Sequence, residues 1–145
     1  MNYSDFDIDN LFVNKPFEVD KHLLIRLQML KDALIDRYRE EPKLIIIQGA
    51  RTEESNIEYY QIKYGDSWKK HYCKNSLHVI KEETGNILRA VDIAFELANG
   101  SRISGIILSR IVQERYLFSN VGISKNYIHV DVLVRTWFYH DSDDN

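Results

Sequence analysis

Imidazole and carboxylate groups become chemically useful when an apolar frame holds them. YIHVDV, residues 127–132, sets His129 and Asp131 among Ile128, Val130 and Val132. A β-strand sends alternate residues to opposite faces. The two ionisable groups therefore share one face, and the three aliphatic residues pack on the other. RAVDIAF, residues 89–95, repeats the device, with Val91, Ile93 and Phe95 on one face and Ala90, Asp92 and Ala94 on the other. His78 closes the polar stretch NSLH, residues 75–78, ahead of that strand. If the two strands pair, His78, Asp92 and His129 can converge as a three-ligand metal site. Zinc takes imidazole and carboxylate together, and a catalytic zinc keeps a fourth position for water. It lowers that water's pKa to about 7 and polarises a carbonyl, which is the chemistry of amide hydrolysis. Spacing alone leaves the alternative open that His129 and Asp131 are the wet face of an antiparallel strand.

Several elements must position these groups. From Lys21 to Arg39, Leu23, Leu27, Leu30, Leu34 and Tyr38 recur at the spacing of an amphipathic helix, and Pro42 follows its end. KLIIIQGA, 43–50, reads as a buried strand closed by Gly49. A short helix over 55–65 ends at Gly65, and 66–88 reads as loop. Residues 101–116 return to helical spacing with Ser101 as N-cap, and strands follow at 119–124 and 127–134. A short turn near Lys125 and Asn126 joins that last pair. Helices and strands mix without strict alternation, which predicts α+β: one small domain, an antiparallel sheet with flanking helices, and the site on one sheet face. Residues 1–20 form an irregular lead-in, 21–139 the domain, and 140–145 an acidic tail.

The chain has 145 residues, enough for one domain with a sizeable core. Its net charge of -3 argues against a nucleic-acid partner, because domains that neutralise phosphates are basic. The one cysteine, Cys73, excludes an intrachain disulfide and reads as a plain small side chain. His22, His71 and His140 lie near a helix start or in polar segments and read as solvent-facing. The acidic start MNYSDFDIDNLF lacks the features of a signal peptide, and no apolar run can span a bilayer. A monomer made in the cytoplasm, with no stable membrane association, is the expectation.

In order along the chain, SLH (76–78), AVD (90–92) and IHVD (128–131) resemble the motifs of the M15-type zinc D,D- and L,D-peptidases, which are related to the hedgehog signalling domain. QGART, 48–52, is similar to their strand ending in Gly-Tyr-Arg-Ser. NVGISKNYIHVDVLVRTW, 120–137, is similar to the C-terminal motif of the cell-wall peptidase and phage endolysin branch. The resemblance implies Zn2+ held by His78, Asp92 and His129. It implies Arg51 facing the cleft, its fork holding a substrate carboxylate or a developing oxyanion. Ser76 would orient the His78 loop or bind substrate, and Tyr127 would join the substrate site. Asp131 would act as the partner of a ligand or as the base on the water.

Two departures stand out. His78 and Asp92 are fourteen positions apart, about twice the family spacing, and IKEETGNIL between them reads as a loop or small hairpin turning at Gly85–Asn86. Where many members carry a catalytic base before the last histidine, this chain has Asn126 and Tyr127. The resemblance implies a zinc peptidase that cuts the stem peptide of peptidoglycan, in the manner of a phage endolysin reaching the host wall. The alternative is a catalytically silent fold that binds a peptide or serves as a virion component.

Overall fold

Asp20 starts the first helix by accepting from the backbone N–H groups of His22 (2.8 Å) and Leu23 (3.4 Å). Such a cap contributes about 1 kcal/mol. Helix α1 runs Lys21–Tyr38 and ends on Arg39 in the left-handed region, whose N–H reaches Ile35 O. Its stripe of Leu23, Leu27, Leu30, Ala33 and Leu34 is buried, as its spacing predicts. The computed structural model describes residues 17–132. Residues 1–16, His140, the acidic tail and the Arg135–Trp137 end of the C-terminal motif lie outside them.

The remaining elements are β1 (Glu18–Val19), β2 (Lys43–Gln48), α2 (Glu53–Tyr64), α3 (Trp68–His71), β3 (Ile87–Leu88), β4 (Ala90–Glu96), α4 (Gly105–Glu114), β5 (Asn120–Ile123) and β6 (Ile128–Asp131). The main sheet has four antiparallel strands in the order β2-β4-β6-β5. The architecture is α+β, as the mixed element pattern predicts.

The two sheet faces divide the labour. Val91, Ile93 and Phe95 of β4 and Ile128 and Val130 of β6 are fully buried in one core with the α1 leucines and with Leu108, Ile111 and Val112 of α4. Each such side chain contributes roughly 1.5–3 kcal/mol. The opposite face carries Asp92, His129 and Asp131. Alternation thus lets one strand serve core and site at once.

Elsewhere the structure departs from expectation. The end of the lead-in is strand β1, paired in parallel with β3. The segment after His78 is therefore no hairpin. It makes a 3-10 turn at Glu82–Thr84 and bends at Gly85 and Asn86, where Asn86 N–H reaches Lys81 O (2.8 Å). Then it pairs with the N-terminal strand, a long-range contact that local spacing does not encode. Strand β2 is half-buried rather than buried, because it is an edge strand with a bulge between Ile46 and Gln48. Ser104, not Ser101, caps α4, accepting from Ile107 N–H (3.2 Å), while Ser101 is held in a turn by Asn99. Region 65–71 is not all loop: a 3-10 turn leads into α3.

One glycine fixes how α4 meets the site strands. A Cβ at Gly105 would overlap the carbonyl of Ser124, and Gly105 N–H donates to Lys125 O (2.9 Å). The turn that launches β6 is therefore seated on the first residue of α4.

Candidate metal centre

Sheet register sets the first half of the site. Asp92 lies directly opposite His129, and Ala90 opposite Asp131. On the other flank of β6, Gly122 lies opposite His129 and Asn120 opposite Asp131, while Gln48 of β2 lies opposite Asp92. One row across the sheet thus reads Gln48, Asp92, His129, Gly122. Opposed residues have Cβ atoms about 4.5–5.5 Å apart, within reach of a carboxylate and an imidazole. His129 Nδ1 is 2.9 Å from Asp92 Oδ1. Gly122 keeps the other flank clear, since a Cβ there would stand 3.2 Å from His129 Cβ.

His78 arrives from a loop pinned by backbone. Arg51 N–H donates to His78 O (2.8 Å), and Ile80 N–H donates to Arg51 O (2.9 Å). Ser76 Oγ accepts from His78 N–H (3.3 Å), and Ser76 O from Val79 N–H (3.0 Å). The imidazole is buried, with Nδ1 2.9 Å from Gly49 O. A carbonyl can only accept, so Nδ1 carries the hydrogen and Nε2 is bare in the neutral ring. That Nε2 lies 3.3 Å from His129 Nδ1 and 3.3 Å from Asp92 Oδ1.

His129 is fixed by the same logic. Both ring nitrogens face a carboxylate at 2.9 Å, Nε2 that of Asp131 and Nδ1 that of Asp92, so with Asp92 engaged by a cation the hydrogen stays on Nε2 towards Asp131 and Nδ1 is bare. Asp131 is buried, and its Oδ1 accepts from Asn120 Nδ2 (3.0 Å). Each histidine thus turns one nitrogen to an acceptor and the other to the shared centre. Such orientation by an outer carbonyl or carboxylate is typical of metal-ligating histidines.

His78 Nε2, Asp92 Oδ1 and His129 Nδ1 form a triangle with edges of 3.3, 3.3 and 2.9 Å. Bonds of 2.0–2.2 Å at tetrahedral angles give edges of about 3.3–3.5 Å. Two edges match, and the third needs to open by about 0.4 Å. These three side chains form a possible metal-binding group. The His129 side chain keeps 32% of its surface, against 14% for Asp92 and 5% for His78, so the site is approached over His129.

Without a cation, three acceptors would face one another, and a proton relieves this. Burial opposes charge on His129, but the hydrogen bonds to Asp131 and Asp92 prevail and raise its pKa to about 9. Burial likewise opposes ionisation of Asp92, yet its contacts with the imidazoles of His129 and His78 hold it well below the usual carboxylate range.

The other expected site residues fall out unevenly. Arg51 is not an open fork at a cleft. Its guanidinium is buried, donating from Nη1 to Asn56 Oδ1 (2.9 Å) with its plane over the Tyr59 ring (4.1 Å to centroid). Burial lowers its pKa, and its Nε is buried without a hydrogen-bond partner. Its contribution to the site is made by its backbone, which holds His78. Ser76 orients the His78 loop. Tyr127 is half-buried, two residues ahead of His129 on the site side of β6. Asp131 meets the nitrogen of His129 that points away from the triangle, which puts roughly 6 Å between it and a cation at the centre.

Gly49, Asn56, Tyr59 and Asn120 were not expected. Asn120 had a signal: in NVGI, 120–123, it alternates with Val121, which assigns it to the site face once the turn after Ile123 is allowed. Asn56 ties Arg51 to Cys73 O (2.9 Å), and nothing in its local sequence marks that. The chain matches no protein-family model, no curated protein and no solved structure.

Proposed function

We propose that this protein is a zinc-dependent peptidase of the M15 type that hydrolyses an amide bond in the stem peptide of peptidoglycan, as a phage endolysin does. One observation carries the reading: three acceptor atoms converge at nearly tetrahedral spacing, while both imidazoles are held by the opposite nitrogen. Two imidazoles and a carboxylate suit zinc, and three protein ligands leave a fourth position open. A zinc held there supplies Lewis acidity, polarising a carbonyl and making a nucleophile of water at neutral pH.

The chain's own residues do the rest. His78, Asp92 and His129 hold the ion. Gly49 O leaves Nε2 of His78 bare, and with Asp92 on the ion Asp131 keeps the hydrogen of His129 on Nε2 and leaves Nδ1 bare. Asp131 acts through His129 and is a positioning residue. Tyr127, beside His129, lines the approach for substrate. Among the described residues no helix is long and apolar enough to cross a membrane.

A second reading draws on the placement of Asp131. With that carboxylate turned to the remote nitrogen of His129, the fold can hold its metal for stability and bind a peptide without cutting it. Purified peptidoglycan separates the two. The enzyme releases new amino groups, stops after chelation, and recovers when zinc returns. His78→Ala should be inactive yet folded. A protein that binds one zinc and releases nothing from any peptidoglycan type is the silent module, and one that binds no divalent metal sinks both readings.

A further inference from the structure

We propose that the hairpin formed by α2 and α3 is a docking surface for an anionic lipid membrane. The proposal stands apart from the peptidase reading. No side chain between residues 57 and 77 belongs to the buried core or to the hydrophobic residues packed against it. These residues pack on one another instead. Tyr60 meets Tyr59 and Tyr72 edge-on, Tyr72 meets Trp68 in the same way, and Tyr64 stacks on His71 with 3.8 Å between centroids. Asn56 fastens the end of the hairpin, donating to Cys73 O (2.9 Å). The chain thus builds an element whose rings serve each other rather than the core.

What this element presents is cationic. Residues 59–74 hold Lys63, Lys69, Lys70 and Lys74 against a single acid, Asp66, a net +3 in a chain of net -3. All four lysines are exposed, and none pairs with a carboxylate among the described residues. Lys63 lies over the rings of Tyr59 and Tyr64, and Lys69 over Trp68. Like charges gathered without partners cost the free fold some stability, and an anionic surface relieves that repulsion. One apolar side chain stands among them: Ile62 is 78% exposed and shares a helix face with Tyr59, three residues back.

Lysine beside Trp, Tyr and an exposed aliphatic side chain is the composition of a membrane interface. Rings and stems lie at headgroup depth there, and the ammonium groups meet lipid phosphate. The same residues fit nucleic acid less well. Bases stack on open ring faces, but these rings are half-buried and turned edge to face on one another. Outside the hairpin's residues 59–74 the chain has 15 basic and 21 acidic residues, a net -6. A polyphosphate running past the body meets that repulsion, whereas a flat bilayer faces the hairpin alone. The separation of charge also orients the molecule, basic end to the lipid. Docking of this kind is peripheral and reversible.

The test is cosedimentation of the full chain with two kinds of vesicle, phosphatidylcholine alone and phosphatidylcholine mixed equally with phosphatidylglycerol. The wild type should bind the anionic vesicles about 100-fold more tightly at low ionic strength, the scale of a net +3 at such a surface, and should come off as salt is raised. Lys69→Gln, Lys70→Gln and Lys74→Gln, combined in one variant, should abolish the preference. Lys69→Arg, Lys70→Arg and Lys74→Arg together should keep it. Ile62→Ser should weaken binding to the anionic vesicles by about tenfold, because less apolar surface enters the interface. These side chains lie outside the core, so the variants should melt with the wild type. A wild type that does not distinguish the vesicles, or a Gln variant that still does, overturns the assignment. Tighter binding to double-stranded DNA than to the anionic vesicles at the same salt overturns it in favour of nucleic acid.

Discussion

Asp92 and His129 reach the candidate metal centre on two paired strands, while His78 reaches it on a loop. The strand-borne pair is set by register. Once Ile93 and Val91 pack against Ile128 and Val130, the alternation delivers Asp92 opposite His129 with no further instruction. The loop-borne ligand has no such guarantee. It is held by the Arg51 backbone, by Gly49 O and by Ser76. A sheet gains precision for a site from the same hydrophobic burial that folds it. A loop must be fastened by separate hydrogen bonds, each contributing about 1 kcal/mol.

Removing a ligand from either half is the harshest test of that contrast. Zinc sites bind with about 10–16 kcal/mol, or roughly 3 kcal/mol per ligand, so His78→Ala and His129→Ala should each lower zinc affinity by about 100-fold or more. On the peptidase proposal, release of amino groups from peptidoglycan should disappear in both. The metal-free melting temperatures should differ. His129→Ala also deprives Asp92 and Asp131 of their shared partner and should melt lower than His78→Ala. Equal metal-free stability would show that the two halves are fastened alike.

Asp131→Asn comes next. An outer partner of a metal-ligating histidine is typically worth 10–100-fold in affinity. The amide can turn its oxygen to His129 Nε2, so the tautomer survives while the charge is lost, and about 10-fold is expected. Asp131→Ala should approach about 100-fold. If Asp131→Asn keeps zinc affinity but loses all turnover, Asp131 acts on the reaction itself. The corresponding partner of His78 is a main-chain carbonyl, which no side-chain substitution removes.

What the sequence announced follows the same division. The strands, their alternation and the helix of leucines were readable because each is a local period. Asp92 and His129 could be set on one face from spacing, and their pairing needed only that β4 and β6 be neighbours. Three things were hidden. The pairing of β1 with β3 joins segments about 70 residues apart, and two-residue strands carry no period. The Arg51 guanidinium is buried against Asn56 and the Tyr59 ring, five and eight residues on, contacts that no hydrophobic period encodes. Ser76 was readable as a fastening of the His78 loop, but the bonds to Arg51 run backbone to backbone, and no side chain announces them.

pH separates the metal-free and metal-loaded proteins by opposite slopes. In the metal-free fold the pKa of His129 is raised to about 9, from about 6.5 when unfolded. Its stabilisation is therefore complete below pH 6.5 and is lost as pH rises through 9. Asp92 is depressed, so its contribution is present above about pH 4 and is lost in acid. Zinc must displace the His129 proton, so zinc affinity should climb by up to about tenfold per pH unit between 7 and 9, then level off. Melting curves with and without zinc should diverge as pH rises through that window. In Asp131→Asn the plateau should come at lower pH, because one carboxylate no longer holds the proton.

The smallest effect belongs to the loop. Ser76→Ala removes a 3.3 Å hydrogen bond to His78 N–H and leaves the two Arg51 bonds in place. A long, half-exposed bond sits at the low end of the usual 0.5–1.5 kcal/mol, so zinc affinity should fall only about threefold, with little change in melting temperature. Gly122→Ala is the matched change on the strand side. Its Cβ would press on His129 Cβ at 3.2 Å, and His129 must give by a few tenths of an ångström against a packed strand. A strand cannot yield without shifting its neighbours, whereas a loop can settle, so Gly122→Ala should cost more zinc affinity than Ser76→Ala. Titrating both variants with zinc decides it. A larger loss for Ser76→Ala would mean that the loop, not the sheet, sets the geometry of the centre.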